Sequence, residues 1–120
     1  MALTKNGLGW VVTVAASATE TITGTLVASD KNVYVRGLLI YNTSTTDNQT
    51  CEIHIVPNNS GSAGGATAAN KIARMTLSAS DTAFFEFPYR LTLKDTGDSV
   101  RVVNGSGSTV NVLPVGDVES

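Results

Sequence analysis

Residues 33–42 read Val-Tyr-Val-Arg-Gly-Leu-Leu-Ile-Tyr-Asn, and this stretch decides the fold. Side chains of a strand alternate between its two faces. Taken as one uninterrupted strand, the stretch sends Val33, Val35, Leu39 and Tyr41 one way and Tyr34, Leu38 and Ile40 the other. Both faces are apolar, whereas an antiparallel sheet of a small domain normally buries only one. The expectation is a central strand with the core on one side and a second apolar neighbour, another protein, on the other.

Period two continues through most of the chain. Trp10, Val12 and Val14 alternate with Val11, Thr13 and Ala15, and Ile22, Leu26 and Ala28 share a face opposite Thr21, Thr23 and Thr25. Cys51, Ile53 and Ile55 point inward, with Glu52 and His54 outward. Ala83, Phe85, Phe87, Tyr89, Leu91 and Leu93 form an unbroken apolar row, and pairs of valines follow at 100/102 and 110/112. Gly, Asn, Asp and Ser gather at 43–49, 57–69, 78–81, 94–98 and 104–108. About eight strands at this spacing predict an all-β fold, an antiparallel β-sandwich, jelly-roll-like or Ig-like. The loop Lys94-Asp95-Thr96-Gly97 is expected to close a hairpin, with Gly97 supplying positive φ. Pro88 removes a backbone donor, so its strand is expected at an edge or at a bulge. Residues 66–75 suit either a turn of helix or a strand.

The 120 residues make one domain, large enough to bury roughly two-thirds of the surface of the unfolded chain. Charged residues are 15% of the chain against a usual share of about a quarter, and Ser, Thr, Asn and Gly fill the gap. Such a surface suits packing against other molecules. A net charge of −2 and eight scattered Lys and Arg argue against an electrostatic nucleic-acid binder. No apolar stretch approaches the length of a membrane span and no basic, apolar leader opens the sequence, so assembly in a cytoplasm is expected.

Nothing in the chain composes a catalytic set. His54 is the one histidine, placed on a strand face with Glu52, and reads as a solvent- or interface-facing residue rather than a relay base. Cys51 reads as a small buried hydrophobe, and a lone His with a lone Cys lacks zinc spacing. Asp81, Asp95 and Asp98 are candidates for calcium, but Asp and Gly are also what turns prefer. The glycine-rich stretch 58–69 lacks the Gly-Lys-Ser/Thr ending of a phosphate loop and is expected to be a contact arm. No enzyme activity, cofactor or metal is expected. Phe84-Phe85 places two aromatics on opposite faces, so Phe84 is expected outside, beside Tyr34, Leu38 and Ile40.

One further pattern is an ordered series of segments: Val-Arg-Gly-Leu-Leu-Ile-Tyr-Asn-Thr-Ser at 35–44, Thr-Cys-Glu-Ile-His-Ile-Val at 50–56, a glycine-rich loop at 60–66, and Leu-Lys-Asp-Thr-Gly-Asp-Ser-Val at 93–100. This order resembles that of small β-sandwich virion structural proteins of tailed bacteriophages, with one extra residue in the last turn. The resemblance implies a non-enzymatic virion protein, assembled in the host cytoplasm. Its first reading is a capsid decoration (cement) protein contacting the major capsid protein, and its second a tail or baseplate accessory protein. A homotrimer about a threefold axis would cover the second apolar face by closed symmetry. The expected assembly residues are Trp10, Tyr34, Leu38, Ile40, Asn58, Ser60, Phe84, Val115 and Val118. A competing reading from another class is a carbohydrate-binding module that stacks sugars on Trp10, Tyr34, Tyr41 and Tyr89.

Overall fold

The structure, a computed structural model, describes residues 11–23, 32–58, 64–95 and 97–119. The strands are β1 (Val12–Val14), β2 (Thr19–Thr21), β3 (Asn32–Asn42), β4 (Gln49–Val56), β5 (Lys71–Leu77), β6 (Thr82–Leu93), β7 (Ser99–Asn104) and β8 (Val110–Glu119). They form two antiparallel four-stranded sheets, in the orders β1-β8-β3-β6 and β2-β7-β4-β5. The architecture is a β-sandwich, and of the two expected topologies the strand order is that of the jelly roll, an eight-stranded double Greek key. Residues 66–75 prove to be both alternatives in sequence: a 3-10 turn, Ala68–Asn70, leads directly into β5.

The core lies between the sheets. One layer supplies Val14, Val33, Val35, Leu38, Ile40, Leu93, Val110 and Val112; the other supplies Cys51, Ile53, Leu77, Val100 and Val102. Cys51 is buried as expected, and burial pushes its thiol up to about 11, which leaves it unreactive at neutral pH.

Leu38 and Ile40 correct the reading of the opening stretch. Both are fully buried in the core, on the same side as Val33 and Val35. The cause is a β-bulge: pairing with β8 steps from Val35–Gly116 to Gly37–Val115, leaving Arg36 as an extra residue. A bulge inserts one residue and so reverses the phase of everything after it. β3 therefore has a single core face made of Val33, Val35, Leu38, Ile40 and Asn42, and its outward side chains are Tyr34, Arg36, Leu39 and Tyr41. Gly37 is required at this point. A Cβ there would lie 2.7 Å from the Phe84 ring and 2.7 Å from the Phe85 carbonyl oxygen.

A larger irregularity faces the bulge on β6. Gly37 pairs with Glu86 and Val35 with Leu91, so residues 87–90 have only Arg36 opposite them. Pro88 sits in that interruption and on an edge strand, as its missing donor requires. The interruption also turns Tyr89 out of the apolar row in which alternation placed it, and it is 89% exposed.

Two other expectations are overturned. The loop at 94–98 closes no hairpin: β6 belongs to one sheet and β7 to the other, so the chain crosses between layers there. Gly97 nonetheless takes the positive φ expected of it, at 97°. β2 ends at Thr21, and Ile22 and Thr23 are buried in a bend where the Thr23 hydroxyl accepts the Val100 N–H at 3.2 Å. Leu26 and Ala28 lie outside the described residues.

Candidate functional site

The bulge gives the β1-β8-β3-β6 sheet an apolar outer face. Leu39 pairs with Leu113 on one side and with Phe84 on the other, so three large apolar side chains stand in a row across β8, β3 and β6. Leu39 and Leu113 are half-buried, and Phe84 is 51% exposed. Tyr41 and Val11, both exposed, extend the row toward one end, where they line a shallow hollow of about 240 Å3 with Leu39, Asn111 and Leu113. Val115 extends it the other way, next to Gly37. Contiguous apolar surface of this kind is a common feature of interaction sites.

The expected assembly residues divide around this face. Tyr34, Phe84 and Val115 lie on it. Leu38 and Ile40 do not, being core residues, and the apolar positions they were expected to fill are held by Leu39, Tyr41 and Leu113. Uninterrupted alternation places Leu39 and Tyr41 on the core side, and Leu113 falls in the opposite phase to the valine pair 110/112. Asn58 belongs to a different part of the molecule, beyond the far end of β4. Trp10 and Ser60 lie outside the described residues, and of Val118 the backbone pairing with Val33 is described but not the side chain. The tyrosines form no common stacking platform: Tyr34 is covered by the Arg90 guanidinium at 4.2 Å, Tyr41 sits in the shallow hollow, and Tyr89 projects from the β6 interruption.

The polar candidates are engaged in holding loops. His54 does lie on the outer face of its sheet, but it is 3% exposed, with the 3-10 turn Ala68–Asn70 packed against β4 there. The Asn70 amide donates to the Gly65 carbonyl, and its oxygen accepts from Thr67 N–H, so His54 Nδ1, at 2.7 Å from that oxygen, is the donor. Its Nε2 faces Glu52 at 3.7 Å. The described part of the glycine-rich stretch is thus a cover over β4. Asp98 accepts the Asn58 backbone and side-chain N–H groups at 2.9 and 3.2 Å and the Asp95 N–H at 3.1 Å. Burial works to raise this carboxyl, and these donors outweigh it, so the net shift is downward. Asp81 caps the start of β6 through Thr82 N–H, at the opposite end of the sandwich from Asp98. Among the described residues no three His, Cys, Asp or Glu side chains come together as metal ligands, and no helix is long and apolar enough to cross a membrane.

Glu52 is the hub of the ion pairs found among the described residues, with Lys71 at 2.8 Å and Arg74 at 4.0 Å. The hydrogen bond from Lys71 comes first in holding the Glu52 carboxyl below its ordinary 4.5; burial opposes it, and His54 adds to it. A carboxyl lowered in the folded state contributes stability above its unfolded value and loses it as the pH falls through the folded value. Glu52→Gln is therefore expected to flatten the acid limb of stability below about pH 5, with a change at neutral pH of at most about 1 kcal/mol. Urea midpoints of the two proteins across that range check this, and parallel acid limbs would contradict it.

No protein-family model matches the chain, and no curated protein matches it in sequence.

Proposed function

We propose that the chain is a non-enzymatic structural protein of a bacteriophage virion, a decoration protein that binds the outside of the assembled head and stabilises it. The observation that carries this reading is the outward row Leu113–Leu39–Phe84, flanked by Tyr41 and Val11, on a fully formed sandwich whose core needs none of them. Two further facts support it. The ordered segments of the sequence resemble those of small virion sandwiches, and the jelly roll is an architecture that recurs in viral capsid proteins, a likeness of fold and not of function.

The mechanism is mass action. A protein that binds the assembled shell and not its separated subunits stabilises the shell in proportion to its occupancy. Self-association, as a trimer about a threefold axis, multiplies weak contacts with the major capsid protein into a durable attachment. Side chains that are already half-exposed pay little to leave the surface, and Phe84 and Tyr41 bring the large apolar area that interfaces favour.

The test is particle robustness. Heads lacking the protein are expected to release DNA at a lower temperature than complete heads. Added wild-type protein should restore them, and a Leu39→Ser/Phe84→Ser double variant should not. Heads equally robust with and without the protein would sink the decoration role.

A further inference from the structure

Beside the apolar row, the opposed irregularities of β3 and β6 open a hollow of about 450 Å3, lined by Arg36, Phe84, Glu86, Tyr89, Arg90 and Val115 among others. Its size falls in the range of about 300–1,000 Å3 typical of ligand sites. The bulge that reverses the phase of β3 is also what aims Arg36 into it, and the β6 interruption brings Arg90 and Tyr89 to its rim.

Both arginines are available. Among the described residues the ion pairs all gather on Glu52, on the other sheet, and neither Arg36 nor Arg90 has a carboxylate within ion-pair distance. Among the described side chains the acids on their own face are Glu86, in the lining, and Asp117, whose β8 position pairs with Tyr34. The Arg90 guanidinium carbon sits over the Tyr34 ring, 4.2 Å from its centre. A guanidinium has five N–H donors, and its contact with a ring face leaves donors to offer a planar anion. Two arginines among exposed aromatics, bordered by apolar surface, are also the composition of interface hot spots.

The geometry points to a carboxylate-anchoring subsite: an Asp or Glu side chain of a protein partner seats between Arg36 and Arg90, and its apolar neighbours lie on Phe84, Leu39 and Leu113. This rests on the reading of the face as a docking surface and adds the chemistry of the partner. Strand addition along β6 is not the mode of contact, since Pro88 lacks a donor and residues 87–90 break the regular spacing. The adjoining hollow favours a protein over an acidic sugar. Of its lining, Val11, Leu39 and Leu113 are apolar and only Asn111 and the Tyr41 hydroxyl could pair with hydroxyl groups, so it suits apolar side chains better.

Titration of the whole isolated chain with 3-phenylpropionate, followed through the arginine side-chain N–H resonances, tests the site. The probe carries one carboxylate next to one apolar ring. Shifts are expected at Arg36 and Arg90 and not at Arg74. Arg36→Gln and Arg90→Gln should each weaken binding about fivefold or more, and the uncharged 3-phenylpropanamide should bind weaker by a similar factor. Glu86→Gln, which removes a like charge from the lining, should tighten binding by about two- to fivefold. All three substitutions are at exposed positions, and unchanged backbone spectra will show that the fold is kept. Silence at both arginines, or binding that survives their replacement, overturns the inference. D-Glucuronate binding more tightly than 3-phenylpropionate also overturns it, in favour of an acidic sugar. The titration does not involve particles, so a positive result with heads that gain no robustness would fault the decoration role alone.

Discussion

Leu38→Ala is expected to destabilise the fold by about 2–5 kcal/mol, the cost of a cavity in a packed core, whereas Leu39→Ala, its immediate neighbour, should cost about 1 kcal/mol or less. Leu38 is fully buried and Leu39 stands half-exposed on the outer face. The contrast tests the bulge directly, because uninterrupted alternation requires the reverse order. Thermal unfolding resolves it, since roughly 4 °C of Tm accompanies each kcal/mol at this chain length. Equal losses, or a larger loss at Leu39, would refute the phase of β3 described above. The pair also separates folding from docking: only Leu39→Ala leaves a stable protein in which to measure a lost surface contact.

Asn104→Ala should be as damaging, for a different reason. The Asn104 amide is buried where the two layers meet. It donates to the Val14, Ala15 and Ser108 carbonyls at 3.1, 3.2 and 2.8 Å and accepts from Gln49 Nε2 at 2.8 Å. One side chain thus ties β1 of the first sheet to β4 and β7 of the second. Truncation strands several buried polar groups at about 1–3 kcal/mol each, and a total loss of about 3–5 kcal/mol is expected. Asn104→Asp should be worse still despite its equal size, because it sets a carboxylate against three carbonyl oxygens. Asn111→Ala, which loses only an exposed bond to Thr13, is the matching control at about 0.5 kcal/mol. Denaturation midpoints that fail to distinguish Asn104→Ala from Asn111→Ala would remove the inter-sheet role.

Much of the architecture was legible because period two is a strong signal wherever a strand is regular. In β4 it put Cys51 and Ile53 inside and Glu52 outside, as found. It failed in β3 at one identifiable place. Arg36-Gly37, a charge and then a glycine in the middle of an apolar run, is the local mark of a bulge, and reading through it reversed Leu38, Leu39 and Ile40. Tyr89 was misplaced by the matching interruption, although Pro88 had announced an irregularity there. The 94–98 loop misled for a different reason. Turn chemistry shows that a chain reverses but not in which layer its next strand lands, and that is decided by pairing with β4 and β2. The burial of His54 was invisible for the same reason, since it depends on where residues 64–70 come to rest.

The strand order carries a consequence for how the molecule is made. β7 lies between β2 and β4, and β8 lies between β1 and β3, so each sheet receives one of the last two strands into its interior. As the chain emerges, β3 with β6 and β4 with β5 can pair early, but the halves of both sheets stay apart until β7 and β8 follow. Among the described residues β1 and β2, three residues each, have no strand neighbours but β8 and β7 and must wait for them. The core therefore stays open until β8 is in place. The sandwich closes in one step, which β8 completes.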